Sequence, residues 1–97
     1  MSDSVGPVLV LHGDVDVVRA DEMVAEGDTM LRAALGGGTF AVDMSDVDFI
    51  DSSGLSGLLR LRRAAEQRGM EVRLRGVPEH VAVLLRLSGL EQVLPSD

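Results

Sequence analysis

The feature that most constrains this chain is an apolar run, a small polar turn and a leucine-rich segment, which follow one another within residues 40–55. Residues 40–42 predict a buried strand, and a polar elbow comes next. A second short apolar anchor then consists of Val47, Phe49 and Ile50. The turn after it is Asp51-Ser52-Ser53-Gly54. Because Asp and Ser side chains accept hydrogen bonds from unpaired N–H groups at helix N-termini, this turn predicts the passage from a strand into a helix.

The rest of the chain alternates between strand and helix patterns. Strand patterns lie at residues 7–11, 39–43 and 70–75, and helical patterns at residues 19–35, 53–68 and 77–88. Strands that alternate with helices of this length need crossover connections. The predicted fold is therefore α/β, a small layered domain with a mostly parallel sheet of about four strands and helices packed on it. Residues 1–97 are expected to form this one domain, with residues 1–6 as a frayed start.

The first helical segment predicts one buried face. Its apolar members are Met23, Met30, Leu31, Ala34 and Leu35. Gly27 interrupts the segment, and a glycine inside a helix costs about 1 kcal/mol relative to alanine. We therefore expect this helix to be the weaker-formed one.

Functional loops of open parallel sheets collect at the carboxyl ends of the strands. Three such loops are expected here, at residues 12–18, at residues 43–48 together with 51–53, and at residues 76–78. The first two carry six carboxylates, those of Asp14, Asp16, Asp43, Asp46, Asp48 and Asp51. We expect an acidic rim that contains the serine turn. Two hydroxyls at the positive end of a helix suit an incoming phosphate.

Composition excludes several classes of function. The formal net charge of −7 argues against binding to nucleic acid or to an anionic membrane. The absence of cysteine excludes a disulfide scaffold, a thiolate metal site and a thiol nucleophile. His12 and His80 lack the spacing of metal ligands, and we expect neither metal nor cofactor. With no signal peptide and no apolar run of about eighteen residues, a cytoplasmic protein is expected.

Four short motifs follow one another between residues 8 and 94. They are Gly13-Asp14-Val15-Asp16, Val42-Asp43-Met44-Ser45, Phe49-Ile50-Asp51-Ser52-Ser53-Gly54-Leu55 and Leu87-Ser88-Gly89-Leu90. In this order they resemble the STAS family, specifically its single-domain anti-sigma factor antagonists, which are also called anti-anti-sigma factors. Asp-Ser-Ser-Gly alone is a weak signal, whereas four motifs in register are specific.

The resemblance implies a bacterial regulator of transcription that acts by protein–protein interaction and is not an enzyme. Such a protein binds an anti-sigma factor, itself a GHKL-type serine kinase, and so frees a sigma factor. The kinase phosphorylates the serine before the glycine, here Ser53, and a phosphatase resets the protein. The implied partner-binding residues are Asp16, Asp51, Ser52, Ser53 and Gly54. The family usually has a further N-terminal strand, for which six residues leave little room, so a monomer or weak dimer is expected.

Each candidate residue also has a structural interpretation. Ser53 is either a phosphoacceptor or a plain helix cap, and Ser52 is expected to be the structural cap. Asp51 either caps the helix or orients the serine, while Asp16 either contacts a partner or forms a turn.

A second functional hypothesis is that the protein is a STAS subunit of a membrane transport assembly or a stress-sensing complex. A third, a Ser53 nucleophile, lacks a nearby histidine and a Gly-x-Ser-x-Gly elbow.

Overall fold

The computed structural model describes residues 6–97, in which three strands alternate with three α-helices. The elements are β1 (Val8–Val15), α1 (Val17–Ala33), β2 (Thr39–Ile50), α2 (Ser52–Glu66), β3 (Glu71–Arg75) and α3 (Glu79–Leu87), followed by a 3₁₀-helix at Leu90–Gln92. The predicted α/β class is confirmed. Most of the expected frayed start, residues 1–5, lies outside the described residues.

The sheet has the order β1-β2-β3, and both strand pairs are parallel. The expected number of about four strands is therefore one too many for residues 6–97. C-terminal residues occupy part of the fourth position, beside β3, where Leu74 and Ser96 form an isolated parallel bridge. The Leu74 N–H donates to the Pro95 carbonyl at 2.8 Å, and the Asp97 N–H donates to the Leu74 carbonyl at 2.9 Å. Two hydrogen bonds cover only part of this sheet edge.

β1 and β2 remain paired well beyond the apolar runs that predicted them. Their register ends with Val15 opposite Ile50 and contains two irregularities of the kind a β-bulge produces. An irregularity lets polar residues stay in a paired strand while later apolar residues still face the core. The expected loops at residues 12–18 and 43–48, and the polar elbow within the second, are therefore wrong, since residues 12–15 and 43–48 are strand and residues 17–18 begin α1.

One hydrophobic core connects the sheet with its helices. Its largest fully buried side chains are Phe40, Leu11, Met23, Leu31, Met44, Ile50, Leu58, Leu61, Leu74 and Leu94. Since the strand order is sequential and crossovers of this kind are right-handed, α1 and α2 cover the same face of the sheet. The two helices touch at Gly57, where an added Cβ would lie 2.6 Å from Met23 Cε. Their N-termini are consequently neighbours at the carboxyl end of the sheet.

Two expectations about apolar packing need correction, and Gly27 has a packing role that its local effect on α1 did not predict. Phe49 is not a buried anchor but is 51% exposed, because its side chain points away from the face that buries Ile50. Leu35 lies beyond the end of α1 and is fully exposed instead of packing on the helix face. Gly27 is buried against the Leu61 side chain, so the missing Cβ that weakens α1 locally also lets α2 approach it.

Candidate functional site

Two helices begin side by side where β1 and β2 end. Each strand is followed by a single aspartate, Asp16 or Asp51, and then by the first turn of a helix. The two turns are joined by a hydrogen bond in which the Asp51 N–H donates to the Val15 carbonyl at 3.4 Å. Ser53 lies in the first turn of α2. The structure thus brings the sequence-predicted site residues to one end of the sheet.

Both aspartates are helix N-caps. Asp16 Oδ1 accepts a hydrogen bond from the Arg19 N–H at 3.0 Å, and Asp51 Oδ1 accepts one from the Gly54 N–H at 3.0 Å. Each cap residue has extended backbone angles, as an N-cap requires. Of the two interpretations of Asp51, capping is the one observed. The expectation that Ser52 is the cap is wrong, because Ser52 is already the first residue of the helix.

The hydroxyl of Ser53 is accessible. Ser53 is the second residue of α2 and is partly exposed, while the neighbouring Ser52 is exposed. Among residues 6–97 the side-chain hydrogen bonds include none from either hydroxyl. The first backbone N–H groups of an α-helix have no partner within the helix. Ser53 therefore presents an unengaged oxygen next to unpaired N–H donors.

Gly54 lies beneath the turn and is buried. A Cβ added there would lie 2.7 Å from the Val15 carbonyl oxygen and 2.5 Å from Ile50 Cγ1. Its N–H is already used by the Asp51 cap. Gly54 thus lets α2 start close against the two strand ends, and it presents no exposed surface to a partner.

A groove of about 330 Å³ opens between the first turns of α1 and α2. It is lined by Val17, Ala20, Asp21, Ser52, Ser53, Ser56 and Arg60. Arg60 Nη2 and Asp21 Oδ1 form an ion pair across it at 3.0 Å. The sequence pattern did not predict this pair. Spacing places Ser56 and Arg60 on the same helix face as Ser53, but it does not show which residue of α1 lies opposite.

The expected acidic rim is divided along the sheet. Asp16 and Asp51 lie at the helix starts, whereas Asp43 lies in β2, eight residues before Asp51 and opposite Arg75 of β3. Asp43 Oδ1 accepts hydrogen bonds from the Ser45 hydroxyl at 2.6 Å and from the Ser45 N–H at 3.0 Å. These bonds from Ser45 lower the pKa of the Asp43 carboxyl below its ordinary value. Asp43 is therefore part of a local strand contact and not of the serine turn.

Residues 6–97 contain no group of three or more His, Cys, Asp or Glu side chains that could hold a metal ion. No helix in that part of the chain is long and apolar enough to cross a membrane. The serine turn and its groove are the site that fold and sequence motifs jointly indicate.

A family model described as Mlab, STAS domain matches residues 2–95 of the chain. No curated protein matches the chain. Several solved structures are similar to this chain in fold, and three of them are described here. The unphosphorylated form of the anti-sigma factor antagonist SpoIIAA has 20% identity and a TM-score of 0.77, over 99% of this chain and 84% of that one.

The phosphorylated form of the Bacillus cell fate determinant SpoIIAA has 22% identity and a TM-score of 0.68, over 93% of this chain and 80% of that one. A sulfate transporter family protein from Wolinella succinogenes has 23% identity and a TM-score of 0.76, over 91% of this chain and 70% of that one. At these identities the likeness is one of fold, and it extends to both regulatory and transport proteins.

Proposed function

Because the chain belongs to the STAS domain family, we propose that it is an anti-sigma factor antagonist that is switched by phosphorylation of Ser53. The unmodified protein binds an anti-sigma factor with serine-kinase activity and thereby releases a sigma factor in the bacterial cytoplasm. Phosphorylation ends that binding, and a phosphatase restores it. The protein itself catalyses no reaction in this scheme.

The observation that carries the proposal is the position of Ser53. Its partly exposed, unengaged hydroxyl lies in the first turn of α2, on the wall of an open groove. A kinase can therefore reach the oxygen without unfolding the domain. In the transfer, Ser53 Oγ bonds to the γ-phosphorus of ATP, the bond to ADP breaks, and the hydroxyl proton leaves.

The charge of the product decides what phosphorylation does to the fold. A phosphoserine adds about −1.5 to −2 charges at neutral pH. The helix N-terminus stabilises a negative charge by roughly 0.3–1 kcal/mol. A dianion ~8 Å from one carboxylate, at an effective dielectric of ~40, is repelled by about 2 kcal/mol before salt screening. These opposing effects are similar in size, so the phosphorylated domain stays folded.

The same charge has a larger effect on binding. A partner that packs over the turn must remove water from the phosphate, and this desolvation costs several kcal/mol, which pairing with a nearby cation does not fully repay. Since about 1.4 kcal/mol corresponds to a tenfold change in affinity, phosphorylation weakens binding by a hundredfold or more. The switch needs no large change of shape.

We assign the partner-binding surface to the exposed residues around the groove. Ser52 and Asp16 are exposed, and Val17 beside them leaves 59% of its surface uncovered. This combination of an apolar side chain with polar groups at its rim is typical of a protein–protein contact. Asp51 and Gly54 support the surface from below, through the cap hydrogen bond between them.

Incubation with the cognate anti-sigma kinase and ATP tests the site assignment. We expect the wild-type chain and the Ser52→Ala variant to take up phosphate, and Ser53→Ala to take up none. Ser56→Ala is a matched control, since Ser56 lines the same groove. Phosphate on Ser53→Ala, mapped by mass spectrometry, would show that another residue is the acceptor.

A second candidate function, a STAS subunit of a membrane transport assembly, is favoured by the fold likeness to the Wolinella succinogenes transporter family protein. Affinity purification from the source cell separates the two functions. Recovery of a kinase supports the antagonist, whereas recovery of a membrane transport protein supports the second candidate.

A further inference from the structure

Arg60 is the cationic side chain among the residues that line the groove with Ser53. In the unmodified protein its guanidinium is paired with Asp21 of α1 at 3.0 Å. Both side chains remain accessible, at 45% exposure for Arg60 and 72% for Asp21. An accessible ion pair is weak, so a stronger anion nearby can replace its carboxylate.

Helix geometry places Arg60 on the same face of α2 as Ser53. Seven residues turn an α-helix through about 700°, which is ~20° short of two full turns, with a rise of ~10.5 Å. Long side chains of a helix extend toward its N-terminus. Arg60 therefore extends along the groove toward the Ser53 end.

The position of Asp21 supports this direction. α1 and α2 begin side by side, and Asp21 lies four residues after the first residue of α1. It is therefore level with Ser56, four residues after the first residue of α2. Because the guanidinium reaches Asp21, it lies ~6 Å nearer the N-terminal end of the groove than the Arg60 backbone does.

We propose that Arg60 is the counter-ion of a phosphate on Ser53, and that Asp21 holds the guanidinium in place while Ser53 is unmodified. The inference rests on the proposed phosphorylation of Ser53. A phosphate carries up to twice the charge of the carboxylate and offers three acceptor oxygens to the planar guanidinium. Phosphorylation then transfers Arg60 from Asp21 to the phosphate and leaves the Asp21 carboxylate free at the mouth of the groove.

The other charged groups near the turn are less suited than Arg60 to pair with a phosphate on Ser53. The charged residues in the first turns of α1 and α2, in the strand ends before them and in the groove are Asp14, Asp16, Arg19, Asp21, Asp48, Asp51 and Arg60. The carboxylates repel a phosphate, and Arg19, which pairs with Glu22 at 3.5 Å and Glu26 at 3.4 Å, is not among the residues that line the groove. Arg60 is thus the cation that the groove itself supplies.

The test is a ³¹P NMR titration of the full chain with phosphoserine introduced at position 53 during translation. An unperturbed phosphoserine has its second pKa near ~6. A unit charge ~7 Å away at an effective dielectric of ~40 shifts a pKa by about 0.9 unit before salt screening. Since a cation favours the dianion, we expect Arg60→Gln to raise the phosphoserine pKa by about 0.5 unit after screening.

Two further variants complete the design. Arg62→Gln removes another α2 ion pair, to Glu66 at 2.9 Å, that lies outside the groove, and it should leave the phosphoserine pKa unchanged. Asp21→Asn removes the competing carboxylate and should lower that pKa. Because Arg60 and Asp21 are both exposed, neither change is expected to unfold the domain.

An unchanged phosphoserine pKa in Arg60→Gln, or equal shifts in Arg60→Gln and Arg62→Gln, would overturn the assignment of Arg60. The phosphate is introduced without a kinase, so this result does not depend on the proposed function. Failure of the kinase to modify Ser53 would reject the proposed function and leave the titration interpretable.

Discussion

Asp51 connects the strand end, the helix start and the candidate phosphoacceptor. Its N–H donates to the Val15 carbonyl, and its carboxylate accepts the Gly54 N–H. One residue therefore fixes the entry of the chain into α2 and leaves the Ser53 hydroxyl unengaged. Asp16 has the same capping role at the start of α1.

Replacement of Asp51 by alanine removes the cap acceptor and leaves a helix N–H unpaired. We expect the Asp51→Ala variant to lose about 1 kcal/mol of unfolding free energy, measured by urea denaturation. Asp48→Ala is the control, because Asp48 is exposed in β2 and caps no helix, and it should change stability by less than about 0.5 kcal/mol. Equal losses in both variants would show that the Asp51 cap contributes nothing specific.

At the residue scale, the sequence identified the serine turn and its neighbours, because Asp and Ser before a leucine-rich helix are local signals. It favoured Ser52 over Asp51 as the cap, which is wrong, since both side chains can accept a helix N–H and the local pattern does not separate them. The ion pair between Arg60 and Asp21 depends on how α2 packs against α1, and these helices are separated along the chain. No spacing within one segment contains that information.

The elements that carry the site are held close together by glycines. Gly54 lies against the ends of β1 and β2, and Gly57 and Gly27 lie where α1 and α2 touch. A glycine in a helix costs about 1 kcal/mol of local stability, so the approach of the elements must offset that cost. The glycines therefore destabilise each helix locally, and at the same time they allow α1, α2 and the sheet to pack closely.

Alanine substitutions at Gly54 and Gly57 should differ in their effects. At Gly54 the new methyl group meets the Val15 backbone carbonyl at 2.7 Å, and backbone cannot move cheaply. We expect a loss of about 1–3 kcal/mol from this overpacking. At Gly57 it meets the flexible end of Met23 at 2.6 Å, and the gain in helix propensity offsets the strain, so the change stays within about 1 kcal/mol.

Thermal and urea unfolding of the two alanine variants give the comparison, with Ser56→Ala as a control on the exposed face of α2. If Gly54→Ala proved as stable as wild type, α2 would not start as close to the strand ends as the structure places it.

At the element scale, the apolar periodicity of the sequence predicted the helices. The extensions of β1 and β2 did not, because a polar stretch in a bulged strand has the local pattern of a loop.

At the scale of the whole molecule, the C-terminal residues cover part of the sheet edge at β3, the edge opposite β1. Asp97 accepts hydrogen bonds from Arg73 Nε at 2.9 Å and from Arg75 Nε at 3.3 Å. The Arg73 hydrogen bond is the main cause that lowers the pKa of the Asp97 carboxyl below its ordinary value. The alternation of apolar and polar residues predicted β3. The contact of residues 95–97 with the edge of β3 is long-range, and no local sequence pattern predicts it.

The pH dependence of stability tests this C-terminal contact. Because the Asp97 pKa is lower in the folded chain than in the unfolded chain, its stabilisation is complete above the ordinary value of 3.8. That stabilisation disappears as pH falls through the folded-state pKa. We expect wild type to have a higher urea midpoint than Asp97→Asn at neutral pH, and the gap to close in acid. A gap that persisted well below pH 3.8 would contradict the ion-pair origin of the effect.

The most direct measurement is the affinity of the cognate anti-sigma kinase for two forms of the chain, unmodified and carrying phosphoserine at position 53. Titration calorimetry at one ionic strength is suitable, with circular dichroism to show that both forms are equally folded. We expect the phosphorylated form to bind at least about a hundredfold more weakly, which corresponds to about 2.7 kcal/mol. Equal affinities of the two folded forms would mean that Ser53 is not the switch.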